Sequence, residues 1–270
     1  MDFNKIKYSI FTKPWKNESV DELGQVISKM GFNAIEFALR DGYQVTPENA
    51  VKELKNFANK MAEYDIKISS VASDTTENIF AACQDAGVPL IRIMCKADLK
   101  LGYMKSEANM KKQIESFLPL CEKYGVKVGI QHHFGPGVSN SMELRHLLEG
   151  YDPKYVGAIW DAAHSGLAGE EPEQGLDIVW DYLALVNLKN AVYAPKVSGH
   201  GTEETKYRPY FTTGKHGNCD WDRVIKFLCN KDYKGDICMP AEYTDESNVE
   251  IYTQRDLKYI KETFKKYCDK

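Results

Sequence analysis

From Val126 to His133 the chain reads Val-Lys-Val-Gly-Ile-Gln-His-His, apolar at alternate positions until its polar end. Side chains alternate across a strand, so Val126, Val128 and Ile130 share one face. Lys127, Gly129, Gln131 and His133 share the other, and the loop Phe134-Gly135-Pro136-Gly137 follows. A strand that is apolar on one face and polar at its far end suits a parallel sheet. Helices would cover the outer face, and chemistry would gather at the strands' carboxyl ends. Eight stretches qualify as strands, near residues 6–12, 33–39, 66–72, 89–95, 126–132, 155–161, 183–189 and 236–243.

Helical periodicity fills several of the intervals. Residues 19–30 open on Ser19 with Glu22 three positions on, a capping box. Residues 48–64 follow Thr46-Pro47, 103–124 set Ile114, Phe117, Leu118 and Cys121 on one side, 220–231 start at Asp220, and 250–267 close the chain. Gly31, Gly87, Gly125 and Gly235 each sit between a helical stretch and a strand-like one, the position of a left-handed C′ cap. Such punctuation predicts a βαβ series, and the pattern as a whole a single domain over 1–270, a (β/α)₈ TIM barrel. An open doubly wound sheet is the alternative, but no Gly-x-Gly-x-x-Gly follows the first strand. The longest stretch read as irregular is 192–219, and loops of that length inside a domain tend to carry function.

Composition narrows the class. The net charge of −4 speaks against a nucleic-acid surface. No run of eighteen apolar residues offers a membrane span. No apolar segment follows the opening Met-Asp-Phe-Asn-Lys, so no secretory leader is expected and the expected location is cytoplasmic. Seven cysteines, none in a Cys-x-x-Cys pair, read as scattered reduced thiols. The oligomeric state is open, a homo-oligomer included.

Carried through the later strands, the alternation turns Asp161, then Asn187 and Lys189, then Glu242 to the inward face that bears Gln131. Two carboxylates and two carboxamides around one point suggest a hard divalent cation, Mg²⁺ or Mn²⁺, with Gln131, Asp161, Asn187 and Glu242 as its ligands. The competing reading makes each of them a loop cap bonded to backbone. His133 faces the mouth by parity, whereas His132 faces away and reads as structural. Lys189 binds a substrate oxygen or pairs with Asp161. Glu36 and Arg92 read as a buried ion pair closing the barrel. Trp15, Tyr43 and Phe134 follow strand ends and are candidates to wall a sugar pocket. Arg208 and His216, with the loop that starts at His200, are candidate contacts for a phosphate or carboxylate.

Taken together, Gly-Ile-Gln-His-His, the run Val156 to His164 containing Asp161-x-x-His164, Val186-Asn187-Leu188-Lys189 and Pro240-Ala241-Glu242-Tyr243 resemble the xylose isomerase-like TIM-barrel family. That family includes sugar isomerases, ketose 3-epimerases, inosose dehydratases and endonuclease IV. In its epimerase branch the resemblance implies metal ligands Glu, Asp, His and Glu at the ends of strands five to eight. Asp161 and Glu242 match, while Gln131 stands for the first Glu and Asn187 for the His. Glutamine cannot act as an acid or base, so two-base epimerisation is impaired. One base suffices for aldose–ketose isomerisation or dehydration. The resemblance implies a metal-dependent isomerase or epimerase on a small carbohydrate, working through an enediolate. Glu242 or His133 would remove the proton and His164 would bond a substrate oxygen. Alternatives are a single-base lyase on a keto-sugar and a non-catalytic sugar-binding barrel with a degenerate metal site. The endonuclease reading lacks early histidines, since none precedes His132.

Overall fold

The computed structural model describes residues 6–196 and 206–268. All eight candidate strands form: β1 (Lys7–Phe11), β2 (Ala34–Ala38), β3 (Lys67–Ala72), β4 (Leu90–Met94), β5 (Lys127–Gln131), β6 (Val156–Asp161) and β7 (Leu183–Asn187), with the last candidate becoming β10 (Asp236–Met239). They close into a parallel barrel in the order β1-β10-β7-β6-β5-β4-β3-β2. The seam pairs Lys7 with Asp236 and Ile10 with Met239. This is the TIM barrel predicted from the alternation.

The outer ring consists of α1 (Val20–Met30), α2 (Ala50–Ala62), α3 (Glu77–Ala86), α4 (Tyr103–Tyr124), α5 (Ser141–Leu148), α6 (Ala162–Leu167), α7 (Pro172–Val179), α8 (Trp221–Asn230) and α9 (Val249–Cys268). The Ser19–Glu22 capping box is present in both directions, its reciprocal backbone bond being 2.8 Å. Gly31, Gly87 and Gly125 take positive φ as C′ caps. Gly235 does not. After α8 it is Asp232 that turns left-handed, at φ 53°, and Gly235 serves close approach instead, because a Cβ there would run into the Tyr233 hydroxyl.

Two hydrophobic bodies hold the barrel. The larger lies between sheet and helices and includes Ile10, Ile35, Val128, Trp160 and Val186. The smaller gathers the inward-parity residues Phe11, Ala38, Ala72, Leu90, Ile159, Leu185 and Cys238. Gly129 makes room for that inner packing: a Cβ on it would lie 2.6 Å from Ile159 Cδ1.

Three expectations are corrected. The stretch 192–219 is not wholly irregular. It contributes to an antiparallel hairpin of β8 (Asn190–Lys196) and β9 (Lys206–Thr212), paired from Asn190 with Thr212 to Lys196 with Lys206. His200 lies outside the described residues. The last barrel strand stops at Met239, and Ala241 then turns at φ 52°, so Glu242 is delivered by a left-handed turn rather than by strand alternation. The cysteines are not all reduced: Cys229 and Cys268 form a disulfide with Cα atoms 5.4 Å apart, pinning the end of α9 to α8. Cys83, Cys95, Cys121, Cys219 and Cys238 are free and buried. Among the described residues no helix is long and apolar enough to cross a membrane.

Candidate active site

A chain of charge-assisted hydrogen bonds crosses the barrel interior. Arg92 on β4 donates Nε to Glu36 Oε1 on β2 at 2.7 Å and Nη1 to Gln131 Oε1 on β5 at 2.7 Å. Gln131 in turn donates Nε2 to Asp161 Oδ2 on β6 at 2.7 Å. A guanidinium only donates and a carboxylate only accepts, so the Gln131 amide has a single allowed orientation between them. Glu36 and Arg92 are the buried pair anticipated from the sequence, and the guanidinium also stacks 4.6 Å from the Phe11 ring centroid.

Asp161 is fully engaged. Its Oδ1 caps α6, accepting from the backbone N–H of Ala163 at 3.0 Å and His164 at 3.3 Å. Its Oδ2 accepts from Gln131 and, at 3.4 Å, from Asn187 Nδ2 on β7. A carboxylate offers about four lone-pair directions, and four N–H groups take them. Asn187 Oδ1 is buried with no partner among the described residues.

Beyond β7 stands Lys189, 6% exposed. Its Nζ lies 3.1 Å from Glu242 Oε2, 3.2 Å from His164 Nε2 and 3.9 Å from Asp161 Oδ2. The Phe211 ring centroid covers it at 4.6 Å. Lys13, which follows β1, forms an ion pair with the other Glu242 oxygen. Burial works to raise the Glu242 carboxyl, but the charges of Lys189 and Lys13 outweigh it and hold it at about 2. His164 is held neutral: burial, then the Lys189 ammonium, push it well below the ordinary histidine value. Its Nε2 therefore accepts from Lys189, and its Nδ1 has no partner among the described residues.

His133 is half-buried, and burial again lowers its pKa. Its Nδ1 donates to the Phe134 carbonyl at 2.9 Å, which fixes the tautomer and leaves the Nε2 lone pair without a protein partner among the described residues. The ring lies 4.0 Å from that of His164. His132 instead accepts the Asp161 backbone N–H at 2.8 Å and is wholly buried, a structural histidine as parity suggested.

These groups face two connected spaces. A deep polar compartment of about 90 Å³ is bounded by Arg40, Arg92, Gln131 and Asn187. An outer cleft of about 700 Å³ is walled by Pro14, Phe134, Phe211 and Tyr243. Lys13, His133, Lys189 and Glu242 border both. The outer volume lies within the usual range of small-molecule sites, roughly 300–1,000 Å³.

Of the positions proposed from sequence, Gln131, Asp161, Asn187, Lys189, Glu242, His133 and His164 come together. Three do not. Trp15 sits in a one-turn 3₁₀ helix, Lys13–Trp15, which turns its indole into the main core at 5% exposure, leaving Lys13 and Pro14 at the mouth. Arg208 is exposed on the hairpin. His216 bonds Thr213 Oγ1 at 2.6 Å and borders a separate cleft with Arg255. Lys13, Arg40 and Phe211 were missed. Arg40 shares the parity of Glu36 and Ala38, a signal present in the sequence, while Phe211 carries none, because the pattern around it does not predict a strand.

Residues 25–263 match the family model described as xylose isomerase-like TIM barrel. The chain belongs to that family. A curated relative of this xylose isomerase-like barrel, inosose dehydratase 2 of Bacillus cereus, is 26% identical over 290 residues, covering 96% of this chain and 97% of its own. Among solved structures, the IOLI protein with a zinc atom bound aligns with a TM-score of 0.73 at 15% identity, over 97% of this chain and 99% of that one. A xylose isomerase-like barrel from Mycobacterium smegmatis in complex with magnesium aligns with a TM-score of 0.70 at 12% identity, over 97% of both chains. Divalent metals thus occur in solved neighbours of this fold.

The side chains present here do not fit such an ion. The four lone-pair directions of Asp161 are taken, Gln131 turns its oxygen to Arg92, and both Glu242 oxygens face lysines. Of the four expected ligands only Asn187 has a side-chain oxygen without a partner. Among the described residues no three His, Cys, Asp or Glu side chains gather as a metal cluster. A divalent ion about 4 Å from the Lys189 ammonium would meet a repulsion of roughly 8 kcal/mol at an effective dielectric of about 20.

Proposed function

We propose that this barrel is a lyase that removes water from a keto-sugar or keto-cyclitol, with His133 as its one base. The observation that carries this reading is the pairing of a neutral His133, its Nε2 lone pair unclaimed, with the Lys189 ammonium across one cleft. An ammonium has three hydrogens, and Glu242 and His164 use two. The third is available to the ketone oxygen of a substrate.

His133 Nε2 takes the proton alpha to the ketone, and the C–H electron pair becomes the enolate. The Lys189 ammonium stabilises the developing oxygen charge. The enolate then reforms the carbonyl as an alkene forms to the β carbon. The β hydroxyl leaves with the proton carried by His133 and departs as water. The histidine ends neutral, so one residue serves as base and then acid. Asn187 Oδ1, a buried acceptor on the deep compartment, accepts from a substrate hydroxyl. Glu242 is a poor base because two lysines stabilise its charged form.

The named inosose dehydratase supports elimination over isomerisation. Aldose–ketose isomerisation is the second reading, and the same histidine would return the proton to the neighbouring carbon. Epimerisation asks for a second base on the opposite face, where Gln131 offers none.

The test is incubation with a panel of keto-sugars and inososes, read by mass and by enone absorbance. Loss of one water, with turnover falling about 10²–10⁴-fold in His133→Gln, is the expected outcome. A product of unchanged mass would replace the lyase reading with isomerisation.

A further inference from the structure

We propose that the Lys189 ammonium occupies the place a divalent metal would take in this barrel, so that the protein neither carries nor needs one. The geometry is the primary ground. Lys189 Nζ lies among Glu242 Oε2, His164 Nε2 and Asp161 Oδ2 at 3.1, 3.2 and 3.9 Å. Those are two carboxylates and an imidazole at the carboxyl ends of barrel strands, the surroundings that suit a cation. A tethered ammonium already fills them.

The two departures from the family pattern fit the same account. Replacing a glutamate by Gln131 and an imidazole by Asn187 removes one negative charge and two strong metal donors. Two carboxylates with one ammonium carry the same net charge as three carboxylates with a divalent ion. Gln131 does more than drop a ligand: it passes hydrogen bonds from Arg92 to Asp161, using up the Asp161 oxygen nearest Lys189. The charges around the deep compartment and its rim are then Lys13, Arg40, Arg92 and Lys189 against Glu36, Asp161 and Glu242. The cations outnumber the carboxylates by one before any metal enters, so added positive charge is repelled and an electron-rich oxygen is attracted. Lysine is a compact point charge with free rotation of its donors, which suits the replacement of an ion better than the flat fork of arginine does.

The catalytic half of this proposal, Lys189 polarising a ketone, rests on the elimination reading above. The metal half does not. Full-length protein, dialysed against chelator, is titrated with MnCl₂ and with ZnCl₂ while bound metal and thermal midpoint are measured without substrate. Wild type is expected to take up less than one tenth of an equivalent, with its midpoint unmoved. Lys189→Met exposes the Asp161 and Glu242 charges. It is expected to melt lower, to gain at least tenfold in Mn²⁺ affinity, and to recover part of its midpoint when Mn²⁺ is added. Stoichiometric Mn²⁺ or Zn²⁺ in wild type overturns the proposal, as does a folded Lys189→Met that gains no affinity. If that variant does not fold, the wild-type titration decides alone. Absence of metal together with absence of turnover on every keto-sugar would sink the elimination reading and leave the built-in cation standing. Stoichiometric metal with water loss intact would do the reverse.

Discussion

Lys189 Nζ and Glu242 Oε2 meet at 3.1 Å although 53 positions separate them and neither lies within a barrel strand. Each follows its strand's last residue, and the two strands, β7 and β10, are neighbours in the barrel. With Lys13 on the opposite oxygen, the pair keeps the Glu242 carboxyl at about 2 against the upward pull of burial. A carboxyl lowered on folding stabilises the protein above its unfolded pKa, about 4.3, and loses that contribution as pH falls. Glu242→Gln is therefore expected to flatten the acid limb of the stability curve between about pH 5 and pH 2. Urea denaturation followed across that range checks it, and an unchanged limb would show that the pair adds nothing.

His133 predicts a displaced pH profile. Burial puts its pKa below the ordinary histidine value, and a base works only when deprotonated. The rate should thus hold as pH drops through 6.5 and fall only below it, with the inflection in kcat/KM marking the lowered pKa. In His133→Gln that acid limb should disappear along with most of the turnover.

Gln131→Glu would place a carboxylate where an amide N–H now meets Asp161 at 2.7 Å. Arg92 can still bond the new side chain, but the Asp161 side loses its donor and meets like charge. A loss of about 1–3 kcal/mol is expected, measured by urea denaturation near neutral pH. Part of it should return at lower pH, because one member of a crowded carboxylate pair takes up a proton readily.

The Cys229–Cys268 bond closes a loop with a sequence separation of 39. On the chain-entropy account, closing such a loop is worth about 4 kcal/mol. Cys268→Ser should lower the thermal midpoint, and reductant should lower that of wild type by a similar amount while leaving the variant unmoved. Equal response of both proteins to reductant would contradict the assignment.

The barrel itself was legible because its strands are short, alternating and punctuated. Gln131, Asp161 and Asn187 share the inward side for the same reason: each is the last residue of its strand, so parity alone aims it inward, whatever role it takes there. Glu242 reached its place by another route, since the strand ends at Met239 and the turn at Ala241 does the aiming. What parity cannot supply is the third dimension of the loops. A single 3₁₀ turn after β1 exchanges Trp15 for Lys13 at the mouth. The direction of the Gln131 amide depends on Arg92, a residue 39 positions away. Pairing of Cys229 with Cys268 depends on two helices packing side by side, which no cysteine spacing encodes.

Asp161 ties the first turn of α6 with one oxygen and the buried relay from Glu36 with the other. A torsion of that one carboxyl would unfasten a helix end and a hydrogen-bond chain together. The segment carrying His164 is therefore joined to the opposite wall of the barrel by an unbroken run of hydrogen bonds, from Glu36 through Arg92 and Gln131 to the one carboxyl that also holds the helix end.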